Sequence, residues 1–402
     1  MPRVSVIIPV YNAERMVGTA IGSVLDQTFP DVEVVVVDDG STDGTGAVVI
    51  AFGPRVRCVR QSNAGPAAAR NVGLRHAAGE IIAFLDADDA WEPEFLTEVV
   101  GALDRHPSVD VASAWATYVD DAGCRLPAGL RPRLASDPLA QALTEGCFLL
   151  LPMLAVRRAA LDRVGHFDPG LRQAEDWDLL LRLAASGVRF FSVERILVRK
   201  RLRGDSLTAD PEQVLRWSLD ALGKASARIS PGSPHRALAA RMRATLLLRA
   251  SANLWRVGAR DPAVHRFAEG LEAWPTALHH PEVHLGILIR LLPPGRRTEG
   301  EVLRALDSLA GEVIALVDAT LAYVRAQGSG TPGRRRSLAT VHAVLAALFA
   351  RRGAWGGALR HGARALVGDP LALAGLALHG LTGSRSRGTP QPSGHLLTPT
   401  AP

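Results

Sequence analysis

Short apolar runs alternate with amphipathic stretches through the first half of the chain, and this alternation stops near residue 209. Val4–Pro9 is almost wholly apolar, the pattern of a strand buried on both faces. Asn12 can cap a following helix in which Val17, Ile21, Val24 and Leu25 share one face. Glu33–Val37 and Val56–Arg60 read as further strands. Pro66 suits the first position of a helix running to about Ala77. Glu80–Leu85 is again a buried strand, Pro93 starts a helix to about His106, and Val109–Trp115 returns to strand. Such alternation predicts an α/β fold with a mostly parallel sheet and ligands at the carboxyl ends of its strands.

Beyond residue 209 the periodicity is helical, with breaks at Pro231, Pro262, Pro275, Pro293-Pro294 and Pro370. The expected organisation is an α/β domain over 1–209, an all-α domain over 210–383 and a Ser/Gly/Pro/Thr-rich tail over 384–402. Gly258, Ala263, Ala268, Leu271 and Pro275 recur 95 residues later as Gly353, Ala358, Ala363, Leu366 and Pro370. That spacing suggests a tetratricopeptide-like unit, with chance similarity between Ala-rich helices as the competing account.

Charge divides along the same boundary. Residues 1–209 carry 22 basic and 27 acidic side chains, and the remainder 24 and 13. A basic second half suits an anionic membrane surface or an acidic glycan. All basic residues but Lys200 and Lys224 are arginine, and a GC-rich genome with a solvated surface explains that bias equally. Cys58, Cys124 and Cys147 fit no zinc spacing and read as reduced thiols. No signal sequence or membrane-length apolar run is visible, so a cytoplasmic protein is expected, touching a membrane only peripherally.

Four clusters fall where strands are predicted to end. In Pro9-Val10-Tyr11-Asn12 the tyrosine can stack on a base and the following helix start favours phosphate. In Asp38-Asp39-Gly40-Ser41 a carboxylate can accept a pyrimidine imide N–H; a strand end with Ser41 or Thr42 capping the next helix is the plainer account. Arg70 lies on a small-residue helix face and can meet a ribose, base or phosphate, or simply face solvent. Asp86 and Asp88 are two apart in Asp86-Ala87-Asp88-Asp89, so an extended chain points both the same way. Two such charges need a cation, and a hard divalent ion holding phosphate oxygens meets the need. An acidic turn with Asp89 as a loop residue is the alternative.

Taken together, Val4–Asn12, Val36–Gly44 and the stretch from Gln61 through Asn71 to Asp88 resemble the family 2 inverting glycosyltransferases of the GT-A fold. The likeness continues through Val164–Asp168 and Glu175-Asp176-Trp177-Asp178-Leu179 and covers about residues 1–209. The resemblance implies a UDP- or dTDP-sugar donor, Mg²⁺ or Mn²⁺, and a glycan or lipid-linked acceptor in polysaccharide or cell-envelope synthesis. Tyr11, Asp39 and Arg70 would hold the nucleoside, with Pro9, Asn12 and Ala87 also lining the donor. Asp86 and Asp88 would form the metal motif, and Asp176 the general base. A base opposite the leaving group is what a single inverting displacement requires; first-turn acids stabilising a helix start would also account for Glu175, Asp176 and Asp178. Trp177 reads equally as a sugar platform or as core.

One departure stands out. Arg203 occupies the place where many relatives carry a metal-reaching histidine. An arginine cannot ligate metal but binds diphosphate well, so Arg201 or Arg203 is expected to clamp phosphate, a solvated hairpin being the alternative. The chain has no Gly-x-Gly-x-x-Gly after its first strand and no Walker loop, and its basic helices lack interleaved aromatics, which excludes the usual dinucleotide, NTPase and nucleic-acid readings. A nucleotidyltransferase and a non-catalytic interaction protein are the remaining rivals.

Overall fold

A computed structural model describes residues 1–202, 210–292, 304–326 and 334–351, with Val302, Ala358, His361, Arg364 and Ala365. Packing divides the chain into two units. Of the described residues, one holds 1–202 and 220–236, and the other 210–219 and those from 237 to 365.

The first unit is built on a nine-stranded mixed sheet: β1 (Val4–Val10), β2 (Val32–Asp38), β3 (Val56–Arg60), β4 (Ile81–Phe84), β5 (Ala90–Trp91), β6 (Val111–Val119), β7 (Arg125–Leu130), β8 (Leu154–Arg157) and β9 (Phe190–Arg201). Its order is β3-β2-β1-β4-β8-β6-β9-β5, with β7 hanging on β6. The β3-β2-β1-β4 half is parallel throughout, and β6–β9 is parallel too. The sheet is mostly parallel, as expected, but β8, β7 and β5 pair antiparallel and extend it beyond the regular alternation.

β1 lies inside the sheet, between β2 and β4, because its sequence suits that place. Val4, Val6, Ile7 and Ile8 are fully buried, each stabilising the fold by about 1.5–3 kcal/mol. Helices α1 (Val17–Leu25), α2 (Thr45–Ile50), α3 (Pro66–His76) and α4 (Phe95–Arg105) connect the strands, and α5 (Pro138–Glu145), α6 (Arg158–Val164) and α7 (Glu175–Ala185) follow. α3 sits close on β1: a Cβ at Gly73 would lie 2.4 Å from Ile7 Cγ2, so only glycine allows that approach. The chain runs from β1 to β2 on one side while β4 joins on the other, and this reversal opens a crevice at their carboxyl ends.

Among the described residues, the α-helices that follow are α8 (Pro211–Arg228), α9 (Pro234–Arg256), α10 (Arg260–Ala273), α11 (Pro281–Leu291), α12 (Leu306–Ala326) and α13 (Arg334–Arg351). The C-terminal region is helical, around a core that includes Trp255, Phe267, Leu316 and Phe349. Gly258 ends α9 at φ +87°, and Ala259 N–H reaches back to Leu254 O at 2.9 Å, a left-handed helix stop. Ala263 and Ala268, the small residues of the first repeat, are buried. Most of the second repeat, including Gly353, Ala363, Leu366 and Pro370, lies outside the described residues, as does the tail 384–402. Among the described residues, no helix is long and apolar enough to cross a membrane.

Candidate active site

The carboxyl ends of β1 and β2 are tied together before any ligand is considered. Asn12 adopts φ 48°, its N–H donates to Ser41 Oγ at 3.0 Å, and its Oδ1 accepts from Thr42 N at 2.8 Å. The expected helix cap is therefore corrected: α1 begins only at Val17, and the Asn12 side chain joins two loops instead. Ser41 and Thr42 do not cap α2 either. Its N-cap is Gly44, without a side-chain cap, and Asp43 just before it accepts from Thr45 N at 3.0 Å. Pro9 lies at the end of β1 opposite Val37, and Tyr11 just beyond it is half exposed.

Asp39 is buried, and its carboxylate accepts from Gln61 Nε2 (2.6 Å), Ala64 N (2.9 Å) and Gly65 N (2.8 Å). It thereby shapes the loop that launches α3. A carboxylate offers about four acceptor positions, so one is left for a ligand.

Arg70 is almost entirely buried. Nη1 donates to Glu175 Oε1 at 2.6 Å, Nη2 to Asp86 Oδ1 at 2.8 Å, and the guanidinium lies 5.6 Å from the Phe167 ring centre. Phe167 meets Phe84 edge-on at 5.2 Å and is held by paired hydrogen bonds with Asn71. Arg70 thus forms a buried bridge between the β4 end and the start of α7.

Asp86, Asp88 and Asp89 each present a carboxylate oxygen within 4.8 Å of the others, a donor set that fits a hard divalent cation. Ala87 sits in the turn between them, half-buried. Asp89 is a loop residue just before β5, but a buried one: it is 2% exposed and accepts from Arg201 N at 2.9 Å. The cluster also contains a cation that sequence reasoning missed. Lys200 Nζ on β9 lies 3.0 Å from Asp89 Oδ2 and 3.2 Å from Asp86 Oδ2. Burial alone would push Asp86 up, but Lys200 and Arg70 outweigh it and hold the carboxyl below its ordinary range. Burial pushes Asp89 up to about 8 against the pull of Lys200, with Asp88 and Asp86 adding to the rise. Burial also disfavours the Lys200 ammonium, yet Asp89 and Asp86 keep its proton firmly in place.

Arg201 directs Nε to Asp88 O (3.1 Å) and Nη1 to the carbonyls of Asp120 and Asp121 (2.7 and 2.8 Å). These contacts organise the acidic turn beside Arg201. Arg203 lies outside the described residues.

At the start of α7, Ala174 is left-handed at φ 61°, a strained conformation for a residue with a Cβ. Glu175 is buried against Arg70, and burial, with Asp176 adding, pushes its carboxyl up to about 6 despite that partner. Asp176 Oδ1 accepts from Trp177 N at 2.7 Å, and Oδ2 accepts from the Cys147 thiol at 3.5 Å. Burial is the main influence on Asp176 and raises it, the Trp177 N–H and Arg70 opposing. Trp177 belongs to the core: it is 5% exposed and its indole N–H donates to Ala142 O at 3.2 Å. Asp178 is likewise structural, paired with Arg182 at 2.8 Å.

Residues 5–165 match the family described as Glycosyl transferase family 2. The putative glycosyltransferase EpsE of Bacillus subtilis is 30% identical over 212 residues, covering 51% of this chain and 75% of EpsE. An uncharacterized glycosyltransferase of Nostoc is 36% identical over 180 residues, covering 42% of this chain and 54% of its own length. Among solved structures, S. aureus TarS 1-349 in complex with UDP-GlcNAc superposes with a TM-score of 0.55 at 24% identity, over 71% of this chain and 87% of that one. A longer TarS chain gives 0.53 at 22%, over 71% of this chain and 52% of its own. The chain belongs to glycosyl transferase family 2, on a GT-A-like fold. It is a glycosyltransferase.

Proposed function

We propose that the chain transfers a sugar from a UDP- or dTDP-sugar to a hydroxyl of a glycan or lipid-linked acceptor, with inversion by a single displacement. The observation that carries this reading is Arg70, bonded at once to Asp86 of the acidic strand end and to Glu175 beside Asp176. It brings the donor side and the proposed base into one rigid constellation. The Tyr11 ring offers a stacking face for a base, and the remaining acceptor position of Asp39 suits an imide N–H. That S. aureus TarS has been solved with UDP-GlcNAc supports a uridine donor.

Asp86 and Asp88 would hold Mg²⁺ or Mn²⁺, which when bound supplies charge stabilisation to the departing diphosphate. Asp176 takes the proton of the acceptor hydroxyl, its carboxylate oriented by the Trp177 N–H and the Cys147 thiol. Arg70 and Arg201 act by positioning acids rather than by touching the donor. The acceptor side is assigned to Trp115–Asp121 and Leu150–Glu175, and an acceptor of the cell-envelope polysaccharide kind suits a basic helical unit resting on an anionic membrane surface.

Thermal shift against a panel of nucleotide sugars with Mg²⁺ or Mn²⁺ tests the proposal, because a donor stabilises the fold by mass action. A UDP- or dTDP-sugar should raise the melting temperature and release its nucleotide on incubation. Failure of every donor to bind or turn over under either metal would sink the reading.

A further inference from the structure

We propose that Lys200 is a resident cation of the acidic strand end, so that a divalent ion enters with the nucleotide diphosphate rather than before it. The inference rests on the donor-site reading above and extends it to the order of loading.

The oxygens that Lys200 occupies are among those a divalent ion needs. Its Nζ lies 3.2 Å from Asp86 Oδ2 and 3.0 Å from Asp89 Oδ2, on a side chain only 15% exposed. Asp86 is further engaged by Arg70 at 2.8 Å, and Asp89 by the Arg201 N–H at 2.9 Å. A lysine ammonium is a compact point charge, and like charges only ångströms apart repel strongly where water is scarce. An ion arriving alone must therefore displace the ammonium or share carboxylates with it.

An ion arriving with a diphosphate meets a different balance. The phosphate charge offsets the metal, and the ammonium gains a new anionic partner. Lysine's four-carbon stem allows such a turn. A second feature favours it. Tyr118 on β6 is the register partner of Lys200, and its buried hydroxyl has no hydrogen-bond partner among the described residues. That hydroxyl is an acceptor ready for a cation that leaves the carboxylates.

The test is binding of Mn²⁺, followed by electron paramagnetic resonance of the unbound ion, with and without UDP. Wild type should bind Mn²⁺ alone weakly and about tenfold or more tightly with UDP, a coupling of ordinary size. Lys200→Met should bind Mn²⁺ alone about tenfold tighter than wild type, and Lys200→Arg, which keeps the charge, should not. Equal Mn²⁺ affinity of wild type with and without bound UDP overturns the proposal, as does Lys200→Met protein with a native melting curve and unchanged Mn²⁺ affinity. If Lys200→Met does not fold, the wild-type pair of titrations decides. If UDP does not bind at all, the donor reading fails separately, and the comparison of Lys200→Met with wild type in Mn²⁺ alone decides.

Discussion

The thiol of Cys147 donates to Oδ2 of Asp176 across 3.5 Å, while the backbone N–H of Trp177 holds Oδ1 at 2.7 Å. The two donors fix the carboxylate from both sides. Losing one modest hydrogen bond costs about 1 kcal/mol, or about fivefold in rate. Cys147→Ala should therefore lower kcat about fivefold with UDP affinity unchanged, and Cys147→Ser should restore most of it. Steady-state kinetics beside UDP titration would check this; equal loss in both variants would mean that volume, not donation, matters.

The same contact sets a pH dependence. A base works only when ionised, and burial raises Asp176 above the ordinary carboxylate range. Activity should fall on the acid side at a pH higher than an exposed aspartate would give. The thiol stabilises the ionised form, so removing it raises the carboxyl further. The acid limb of kcat in Cys147→Ala should move to higher pH; a shift the other way would contradict the geometry.

Replacing the base itself separates binding from chemistry. Asp176→Asn should abolish transfer yet leave UDP binding within about twofold, since Asp176 makes no contact assigned to the donor. Asp88→Ala should instead weaken metal-dependent donor binding. Active Asp176→Asn protein would show that another group takes the proton.

Arg70 is a matter of stability as much as of function. Its removal leaves Glu175 buried without its cation, and breaking a buried pair of this kind costs about 3–5 kcal/mol. Arg70→Met should lower the denaturation midpoint accordingly. Lysine should not rescue it, because one ammonium cannot span two carboxylates as a planar guanidinium does.

Ala174 points the other way. An L-residue at φ 61° costs about 1–2 kcal/mol, partly offset in a glycine variant by the extra freedom of its unfolded chain. Ala174→Gly should raise the stability of the first unit by about 0.5–1 kcal/mol, read from its melting curve.

The regular half of the first unit was legible because its signals are local. Val56–Arg60 is the strand expected, and α3 begins at Pro66 as expected. Four clusters were expected at strand ends, and β1, β2 and β4 end at three of them. The other half was opaque for physical reasons. β5 has two residues and β8 four, too few for a period to show. β9 pairs with β6 through two register shifts, which break the alternation of Phe190–Arg201. The site contacts of Lys200 and Cys147 were hidden because their partners lie 114 and 29 residues away. Arg70 was placed at the site but without its acidic partners: a helix face tells that a residue is oriented inward, not which acid it meets.

Those two shifts in β9 carry a consequence for how the site can change. Val111 pairs with Phe190, but Ala116 pairs with Val198, so three extra residues enter β9 between those points. An odd number of extra residues turns the strand over, and a one-residue slip exchanges the side chains on its two faces. The bulged stretch therefore decides that Lys200 faces the acids. Deleting or inserting one residue there would bring Arg201 or Arg199 into its place. A single indel would keep a positive charge among the aspartates while exchanging a flexible stem for a planar fork, and so give sequence drift a short path to a cation that turns differently toward an arriving diphosphate.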